Sequence, residues 1–259
     1  MRRSTAPTDR PTCIMGFERK ESTHMSLVVT VYVPSGIVMA ADSRMTVLRS
    51  EEREEKDQKL KVQQQIVLSD NANKVVMLSS IGAGISVYDA GVINNQPVDS
   101  HVHRFEEEAI TPDDDVASCS EKFLSFFQTN HPKVPIGFHV AGYRIENRTS
   151  SPFVFVGHTT KQEGVRRVNV NDDGKVQYGI LRSGDIQVVN RLIEKTQLPL
   201  FAAMPLQDAV DYAVHLIRTT IDTMRFEPRF PGVGGAIDVL AVTSTEMRWV
   251  QRKELQGEG

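Results

Sequence analysis

A long apolar stretch close to residue 30 places the strongest constraint on how this chain folds. The segment SLVVTVYVPSGIVMAADSRMT, residues 26–46, alternates like a strand, turns at residues 34–36 (Pro-Ser-Gly) and alternates again. β-Branched residues favour strands, and Pro, Ser and Gly favour turns. The second strand ends on Asp42, with Arg44 two residues later. The segment therefore predicts a hairpin that carries two charged side chains directly after a very apolar strand.

Strand-like and helix-like segments follow this hairpin in separate blocks. Residues 66–86 predict a strand, a polar turn and a second strand at residues 74–78. Two helices are predicted over residues 98–128 from the spacing of apolar residues. The second helix is expected to begin with Thr111 as N-cap, because a proline at the first helical position and three aspartates in the first turn follow it.

The second half of the chain has the same sequence of blocks. The remaining predicted elements are strands at 134–145 and 151–159, a hairpin at 164–181 that turns at 171–174 (Asn-Asp-Asp-Gly), helices at 183–195 and 204–224, and a closing strand pair at 234–255. Segregated blocks, without strict strand-helix alternation, favour an α+β fold in which two sheets pack together and helices cover the outside of each. The sequence contains no internal repeat and no low-complexity linker, so we expect one domain.

Composition excludes several classes of function. The 259 residues are 40% hydrophobic and 24% charged, close to the averages of globular proteins. The net charge of -3 does not indicate the basic surface of a protein that binds nucleic acid. Two cysteines are too few for a disulfide framework, and no apolar run reaches the roughly 18 residues that span a bilayer. We therefore expect a cytoplasmic protein that has no nucleic-acid or membrane partner and needs no cofactor.

The first 25 residues are charged, contain prolines and lack the apolar core of a secretory signal. Three interpretations remain open for them: a removable propeptide, a disordered tail, or an over-long start. The folded domain is expected at residues 26–259.

Three other features of the sequence are not expected to form part of a functional site. Residues 49–61 (RSEEREEKDQKLK) form a mixed charge run, which is typical of a solvated loop or helix surface. His101 and His103 lie two apart in a predicted helix and do not face each other, so no metal site is expected there. Cys13 would be an N-terminal nucleophile only after a cut directly before it, and its distance along the chain from Asp42 is wrong for that role.

Two motifs resemble those of one known family. GIVMAADSRMT, residues 36–46, resembles the second-strand signature of proteasome β-type subunits and their bacterial heat-shock peptidase relative, and GGAIDVLAVTSTEMRWV, residues 234–250, resembles their closing hairpin. The order of the elements between them agrees as well, so the resemblance covers about residues 26–255. It implies a four-layer αββα sandwich and an N-terminal nucleophile, normally threonine. In that family the nucleophile lies sixteen residues before the motif's aspartate, and counting back from Asp42 arrives at Ser26.

A hydroxyl residue at a free N-terminus carries its own base. An α-amine with a pKa of about 7.7 to 8.0 is substantially neutral near pH 7 and takes the hydroxyl proton directly or through one water. A nearby Lys ammonium lowers the pKa of that amine and hydroxyl, and a carboxylate keeps the lysine charged and oriented. The resemblance implies that Asp42 and Lys74 form this pair, since Lys74 opens its strand as the family's catalytic lysine does, and that Arg44 holds Asp42. Ser26 has the same hydrogen-bonding groups as threonine but is less stiff.

Other positions near the expected site agree with the family or depart from it. Ser183 lies in an Arg-Ser-Gly turn where the family has Gly-Ser-Gly, and it is kept as a supporting site residue. The family's Asp and Ser before the Gly-Gly of the closing hairpin are replaced by Phe230 and Val233, and Met25 stands where the family usually has glycine before the cut. Gly84, in a Gly-rich segment, is a candidate for the oxyanion hole.

Three functions stay open at this point. The first is a peptidase or amidohydrolase that forms an acyl-enzyme on Ser26 and acts on peptides or unfolded protein; the resemblance implies a ring-like homo-oligomer, with an unfolding ATPase as a candidate partner. The second is a non-catalytic structural subunit, which Phe230 and Val233 favour. The third is a peptide ligase or acyl transferase, in which an amine and not water resolves the acyl-enzyme.

Overall fold

A computed structural model of the protein describes residues 26–55, 58–146, 149–195 and 197–255. Cys13 and the other residues before Ser26 lie outside these ranges. The strands are β1 (Leu27–Val33), β2 (Gly36–Asp42), β3 (Met45–Glu55), β4 (Gln58–Ser69), β5 (Val75–Leu78), β6 (Ala83–Tyr88), β7 (Val92–Ile93), β8 (Gln96–Pro97), β9 (Gly137–Glu146), β10 (Thr149–His158), β11 (Arg166–Arg167), β12 (Gly179–Gly184), β13 (Ile237–Val242) and β14 (Met247–Gln251). The helices are α1 (Val98–Ala109), α2 (Val116–Asn130), α3 (Gln187–Lys195) and α4 (Leu206–Met224), with a 3-10 turn at Phe201–Ala203.

Two five-stranded antiparallel sheets form the body of the protein. The first sheet has the order β12-β1-β2-β13-β14, and the second has the order β11-β10-β9-β6-β5. In the first sheet Val28 lies across from Ala41, and Ile237 lies across from Asp42 on the other side of β2. Asp42 is therefore the last residue of a central strand, with β1 and β13 on either side.

Three apolar clusters connect the sheets and the helices. Every residue of β1 and β2 is buried, as expected for strands covered on both faces. One cluster contains residues of both sheets, a second combines the first sheet with α3 and α4, and a third combines the second sheet with α1 and α2. Representative members of the three are, in that order, Met39 and Val154, Val31 and Leu216, and Phe105 and Phe138. The predicted order of strand blocks and helix blocks is confirmed.

The start of α2 differs from the prediction. The N-cap is Asp115, whose Oδ1 accepts hydrogen bonds from the backbone N–H groups of Ala117 and Ser118 at 2.9 Å each. The Ser118 hydroxyl closes the capping box with the Asp115 N–H. Thr111 instead forms a separate turn, in which its N–H and its hydroxyl both donate to Asp114 Oδ2. Thr111 as N-cap is wrong, because the helix begins only after Asp115, where Asp115 and Ser118 cap each other reciprocally.

The charge run at residues 49–61 is also placed differently. Apart from residues 56 and 57, which lie outside the described ranges, it belongs to β3 and β4, which pair only with each other in the described structure. The interpretation as a loop or helix surface is wrong. A strand pair with so few apolar residues lacks the alternation by which strands are predicted.

The predicted hairpin at residues 164–181 is only partly correct. Its turn forms as expected, with the Gly174 N–H donating to the Asn171 carbonyl at 2.9 Å. Its two arms then separate: β11 pairs with β10 in the second sheet, while β12 pairs with β1 in the first. This segment therefore crosses from one sheet to the other and brings Ser183 next to the start of β1.

Candidate active site

The carboxylate of Asp42 is the centre of a buried hydrogen-bond cluster. Oδ1 accepts from the Leu27 N–H at 2.9 Å and from Lys74 Nζ at 2.8 Å. Oδ2 accepts from the Arg44 N–H at 3.1 Å and from the Gly234 N–H at 2.9 Å. Asp42 is 1% exposed. Four donors from four separate segments thus hold the carboxylate in one orientation, directly beside the residue that follows Ser26.

Lys74 lies at the start of β5 and is 3% exposed. Burial lowers the pKa of Lys74, while the charge of Asp42 and its hydrogen bond oppose that change. The ammonium of Lys253 and the guanidinium of Arg44 lower this pKa further. The lysine is therefore a desolvated cation whose proton is more readily lost than that of an exposed lysine.

Arg44 contacts Asp42 by its backbone and directs its side chain elsewhere. Nε and Nη2 donate to the two carboxylate oxygens of Asp70 at 2.7 and 2.9 Å, and Nη1 donates to the Pro231 carbonyl at 3.0 Å. The guanidinium beside Asp70 lowers the pKa of that carboxyl. The expectation that the Arg44 side chain holds Asp42 is therefore replaced by a forked contact with Asp70, which ties the loop before β5 to the loop before β13.

The two glycines of the closing hairpin are explained by this forked contact. A Cβ on Gly234 would lie 2.5 Å from the Arg44 guanidinium carbon, and a Cβ on Gly235 would lie 2.4 Å from the Asp70 carbonyl oxygen. Gly235 also has a φ of +76°. Glycine is required at residue 235 by its φ and by the nearby backbone oxygen, whereas a side chain at residue 234 would displace the Arg44 guanidinium.

Ser26 is buried and is held through its carbonyl group. The Asp185 N–H donates to the Ser26 carbonyl at 2.7 Å. Gly184, with φ +89°, passes so close that a Cβ would lie 1.9 Å from the same oxygen. The Leu27 N–H bond to Asp42 fixes the other side of this peptide group. Ser26 and Asp42 are thus brought together by the β1–β2 pairing, and Lys74 joins them from the second sheet.

The Ser183 hydroxyl faces a buried histidine of the second sheet. Its hydroxyl is 2.9 Å from His139 Nε2, and His139 Nδ1 is 3.0 Å from the Thr30 hydroxyl. Burial lowers the pKa of His139 to about 3, so the ring is neutral and one nitrogen donates while the other accepts. The ring of Tyr88 packs edge-on against that of His139, with ring centroids 5.8 Å apart. Ser183 therefore belongs to a buried network that connects β12, β1 and β9.

Gly84 lies inside β6, paired with Met77 on one side and Ala141 on the other. A Cβ there would lie 2.6 Å from Met39 Sδ and 2.8 Å from a methyl carbon of Leu240, both in the first sheet. Its lack of a side chain is explained by the close approach of the two sheets. This position gives no support to the expected role in an oxyanion hole.

The two replaced polar positions lie against the protein interior. Val233 is 1% exposed and belongs to the apolar cluster of the first sheet, α3 and α4, and Phe230 is partly buried. Arg229, next to Phe230, pairs with Asp185, the residue whose N–H binds the Ser26 carbonyl. Sequence reasoning missed the Asp185–Arg229 pair, because 44 residues separate the partners and no motif marks either one.

A second buried lysine–aspartate pair also escaped prediction. Lys253 Nζ donates to Asp238 and, at 3.1 Å, to the hydroxyl of Ser43. Asp238 is 2% exposed and Ser43 is fully buried. Asp238 and Ser43 lie inside motifs that were recognised, but Lys253 follows the last strand, outside both motifs, and carries no signal of its own.

The histidine pair in α1 takes no part in this site. His101 is buried, with Nε2 3.0 Å from the Ile93 carbonyl and its ring 4.7 Å from that of His131, whereas His103 is exposed. Within the described ranges, three or more His, Cys, Asp or Glu side chains nowhere gather in a way that could hold a metal ion. Nor does any helix of the described ranges have the length and apolar character to cross a membrane.

Solved structures provide the comparison with known proteins. The chain is similar to a mutant of Anbu from Hyphomicrobium sp. strain MC1, with a TM-score of 0.55 and 13% identity over 87% of this chain and 86% of that one. It is also similar to Anbu (ancestral beta-subunit) from Yersinia bercovieri, with a TM-score of 0.52 and 15% identity over 86% of each chain. No protein-family model and no curated protein matches the sequence. The chain therefore shares the fold of these Anbu structures.

Proposed function

We propose that this protein is a proteasome-like N-terminal-nucleophile hydrolase that cleaves amide bonds through an acyl-enzyme on Ser26. The observation that carries the proposal is the buried Asp42–Lys74 pair, whose carboxylate also binds the N–H of Leu27, the residue directly after Ser26. A buried ion pair of this kind next to a hydroxyl is the arrangement that lowers the pKa of a nucleophile and its base.

The proposed reaction needs Ser26 to be the first residue, so that its amine is free. The α-amine takes the hydroxyl proton as Oγ attacks the substrate carbonyl, and the resulting α-ammonium gives that proton to the departing amine as the C–N bond of the tetrahedral intermediate breaks. Water then attacks the ester, loses its proton to the α-amine and releases the acid, which restores the Ser26 hydroxyl. Lys74 supplies positive charge near Oγ and the amine, and Asp42 keeps this charge in place.

The assembly around this site is also a proposal. The three apolar clusters support an αββα order of layers in a domain that begins at Ser26 and includes the rest of the chain. The Yersinia bercovieri protein is an ancestral beta-subunit, which supports a homo-oligomer for the present chain. We infer a cytoplasmic homo-oligomer that acts on peptides or unfolded protein, with an unfolding ATPase as its partner.

The alternative function is that of a non-catalytic structural subunit. Val233 favours it, because an apolar side chain in the core replaces a group that would bind the N-terminal amine. Arg229 is the charged residue that lies nearest to this position along the chain, and its guanidinium pairs with Asp185. In this case the fold would serve as a scaffold and the Asp42–Lys74 pair would only stabilise it.

Hydrolysis of a panel of fluorogenic peptides by Ser26 variants separates the two functions. Ser26→Ala should lower turnover by at least about a thousand-fold, since removal of a nucleophile has effects of this order. Ser26→Thr should keep turnover, because threonine supplies the same hydroxyl, and the exposed control Ser244→Ala should leave it unchanged. Equal turnover in Ser26→Ala and the native protein, or none in a native protein that begins at Ser26, would favour the structural subunit. Transfer of the acyl group to an added peptide amine would identify a ligase.

A further inference from the structure

Lys253 introduces a second, partly buried cation at the end of the sandwich where Asp42 and Lys74 lie. It follows β14, and its side chain is 14% exposed. Its ammonium donates to Asp238 and to the Ser43 hydroxyl, and its backbone N–H donates to Asp238 Oδ1 at 3.1 Å. Gln251 fixes the same segment, since its side-chain amide donates to the Ile237 carbonyl at 2.8 Å. The C-terminal segment is thus attached to β13 by three hydrogen bonds from two residues, Gln251 and Lys253.

Ser43 connects this second pair to the first. It follows Asp42 directly, its N–H donates to the Gly234 carbonyl at 3.0 Å, and its carbonyl accepts from the Ala72 N–H at 2.9 Å. The same Gly234 donates its N–H to Asp42 Oδ2. Ala72 lies two residues before Lys74. The hydroxyl of Ser43 therefore binds Lys253 while its backbone holds the two loops that present Gly234 and Lys74 to Asp42.

We propose that Lys253 is a positioning residue for the Asp42–Lys74 pair: it holds the turn after β2 through Ser43 and adds a second positive charge beside Lys74. Its importance for catalysis rests on the proposed function of Ser26, but its effect on Lys74 does not. Lys253 is not placed to touch a substrate through any contact described above, because both of its acceptors are buried groups of this chain.

Electrostatics supports this role independently of the contacts. Asp42 favours the charged form of Lys74, whereas Lys253 and Arg44 disfavour it. The charge of Lys74 in turn lowers the pKa of Asp70. Asp238 neutralises part of the charge of Lys253. The pKa of Lys74 should therefore respond with opposite sign to the loss of Lys253 and to the loss of Asp238.

The experiment is a pH titration of Lys74 in the full chain, read from the 13Cε chemical shift of 13C-labelled lysine and assigned with Lys74→Arg. Lys253→Met should raise the midpoint by roughly one pH unit, the size of effect that a nearby like charge produces. Asp238→Asn should lower the midpoint, and the double variant should return it towards the native value. The exposed control Lys161→Met should not change it.

Two results would overturn the proposal. One is an unchanged midpoint in both single variants, and the other is a shift of the same sign in both, which would indicate a general loosening of the site. If Lys253→Met does not fold, Lys253→Gln removes the charge and keeps a polar end that reaches Ser43. Because the titration needs no turnover, a protein that lacks peptidase activity but shows the opposite shifts would contradict the proposed function and leave the role of Lys253 intact.

Discussion

Lys74 Nζ lies 2.8 Å from Asp42 Oδ1, and the two side chains are 3% and 0% exposed. An isolated ammonium or carboxylate at such burial is very unfavourable, and a buried pair recovers this cost only when its other hydrogen-bonding groups are satisfied. The three backbone N–H donors to Asp42 meet that condition. The pair therefore contributes to the fold as well as to the proposed chemistry, and the two contributions are separable by experiment.

Loss of one partner should destabilise the fold strongly. Lys74→Met leaves the buried Asp42 carboxylate without its counter-charge, which typically costs about 3 to 5 kcal/mol of unfolding free energy. Urea denaturation measures this loss. The exposed Lys161→Met is the matched control and should stay within about 0.5 kcal/mol of the native protein. A loss below about 1 kcal/mol in Lys74→Met would contradict the burial described here.

Gly184 should be intolerant of any side chain. A Cβ at this position would meet the Ser26 carbonyl oxygen at 1.9 Å, and φ is +89°, so Gly184→Ala must displace the start of β1. Gly174→Ala is the control, since Gly174 has a φ of +74° but open space around it, and it should cost only the roughly 1 to 2 kcal/mol of a left-handed backbone. The prediction is a clearly larger loss for Gly184→Ala, together with loss of peptide turnover. Equal stabilities of the two variants would contradict it.

Stability should fall in mild acid because of His139. Its folded pKa of about 3 lies below the unfolded value of about 6.5. Between these pH values the unfolded chain binds a proton on His139 and the folded protein does not. The stabilisation by neutral His139 is complete above about pH 6.5 and declines at up to about 1.4 kcal/mol per unit as the pH falls towards 3.

Urea midpoints between pH 4 and 7 test this linkage. His139→Gln removes the titrating ring and should flatten the dependence, whereas the exposed His215→Gln should retain the native slope. A native slope in His139→Gln would show that other groups cause the acid sensitivity.

The forked Arg44–Asp70 contact should also depend on pH, over a lower pH range than that of His139. Arg44 lowers the pKa of Asp70, so the stabilising contact is present above the unfolded value of about 3.9 and is lost as the pH falls through the lower folded value. Asp70→Asn should therefore destabilise at pH 7 and have little effect in strong acid. Since the Asp70 side chain is 45% exposed, the effect should be smaller than that of Lys74→Met. Equal effects of Asp70→Asn at pH 7 and pH 2.5 would contradict this.

Much of the fold could be predicted because its signals are local. The hairpin of β1 and β2, the four helices and the turn before Lys175 follow from periodicity and turn chemistry. The charged strands β3 and β4 could not be predicted, since no apolar alternation marks them. The two arms around Gly174 could not be assigned to different sheets, because β11 pairs with the nearby β10 whereas β12 pairs with β1 at the other end of the domain.

The residues of the candidate site that lie in recognised motifs were predicted, and their partners outside the motifs were not. The motif around Asp42 and the lysine that opens β5 gave the central pair, although 32 residues separate them. The partners of Arg44, Ser183 and Ser43 were not foreseen, since Asp70, His139 and Lys253 lie in segments without a motif. A carboxylate or ammonium becomes a partner only when the fold buries it beside an opposite charge, and a single sequence does not contain that information.

The intact mass of the protein purified from its own host is the most direct test of Ser26 as an N-terminal nucleophile. The proposed function predicts a chain that begins at Ser26, with the amine and the hydroxyl on one residue. A chain that begins at Met1 or Met25 would contradict it, because the Ser26 nitrogen would then be an amide and could not act as the base.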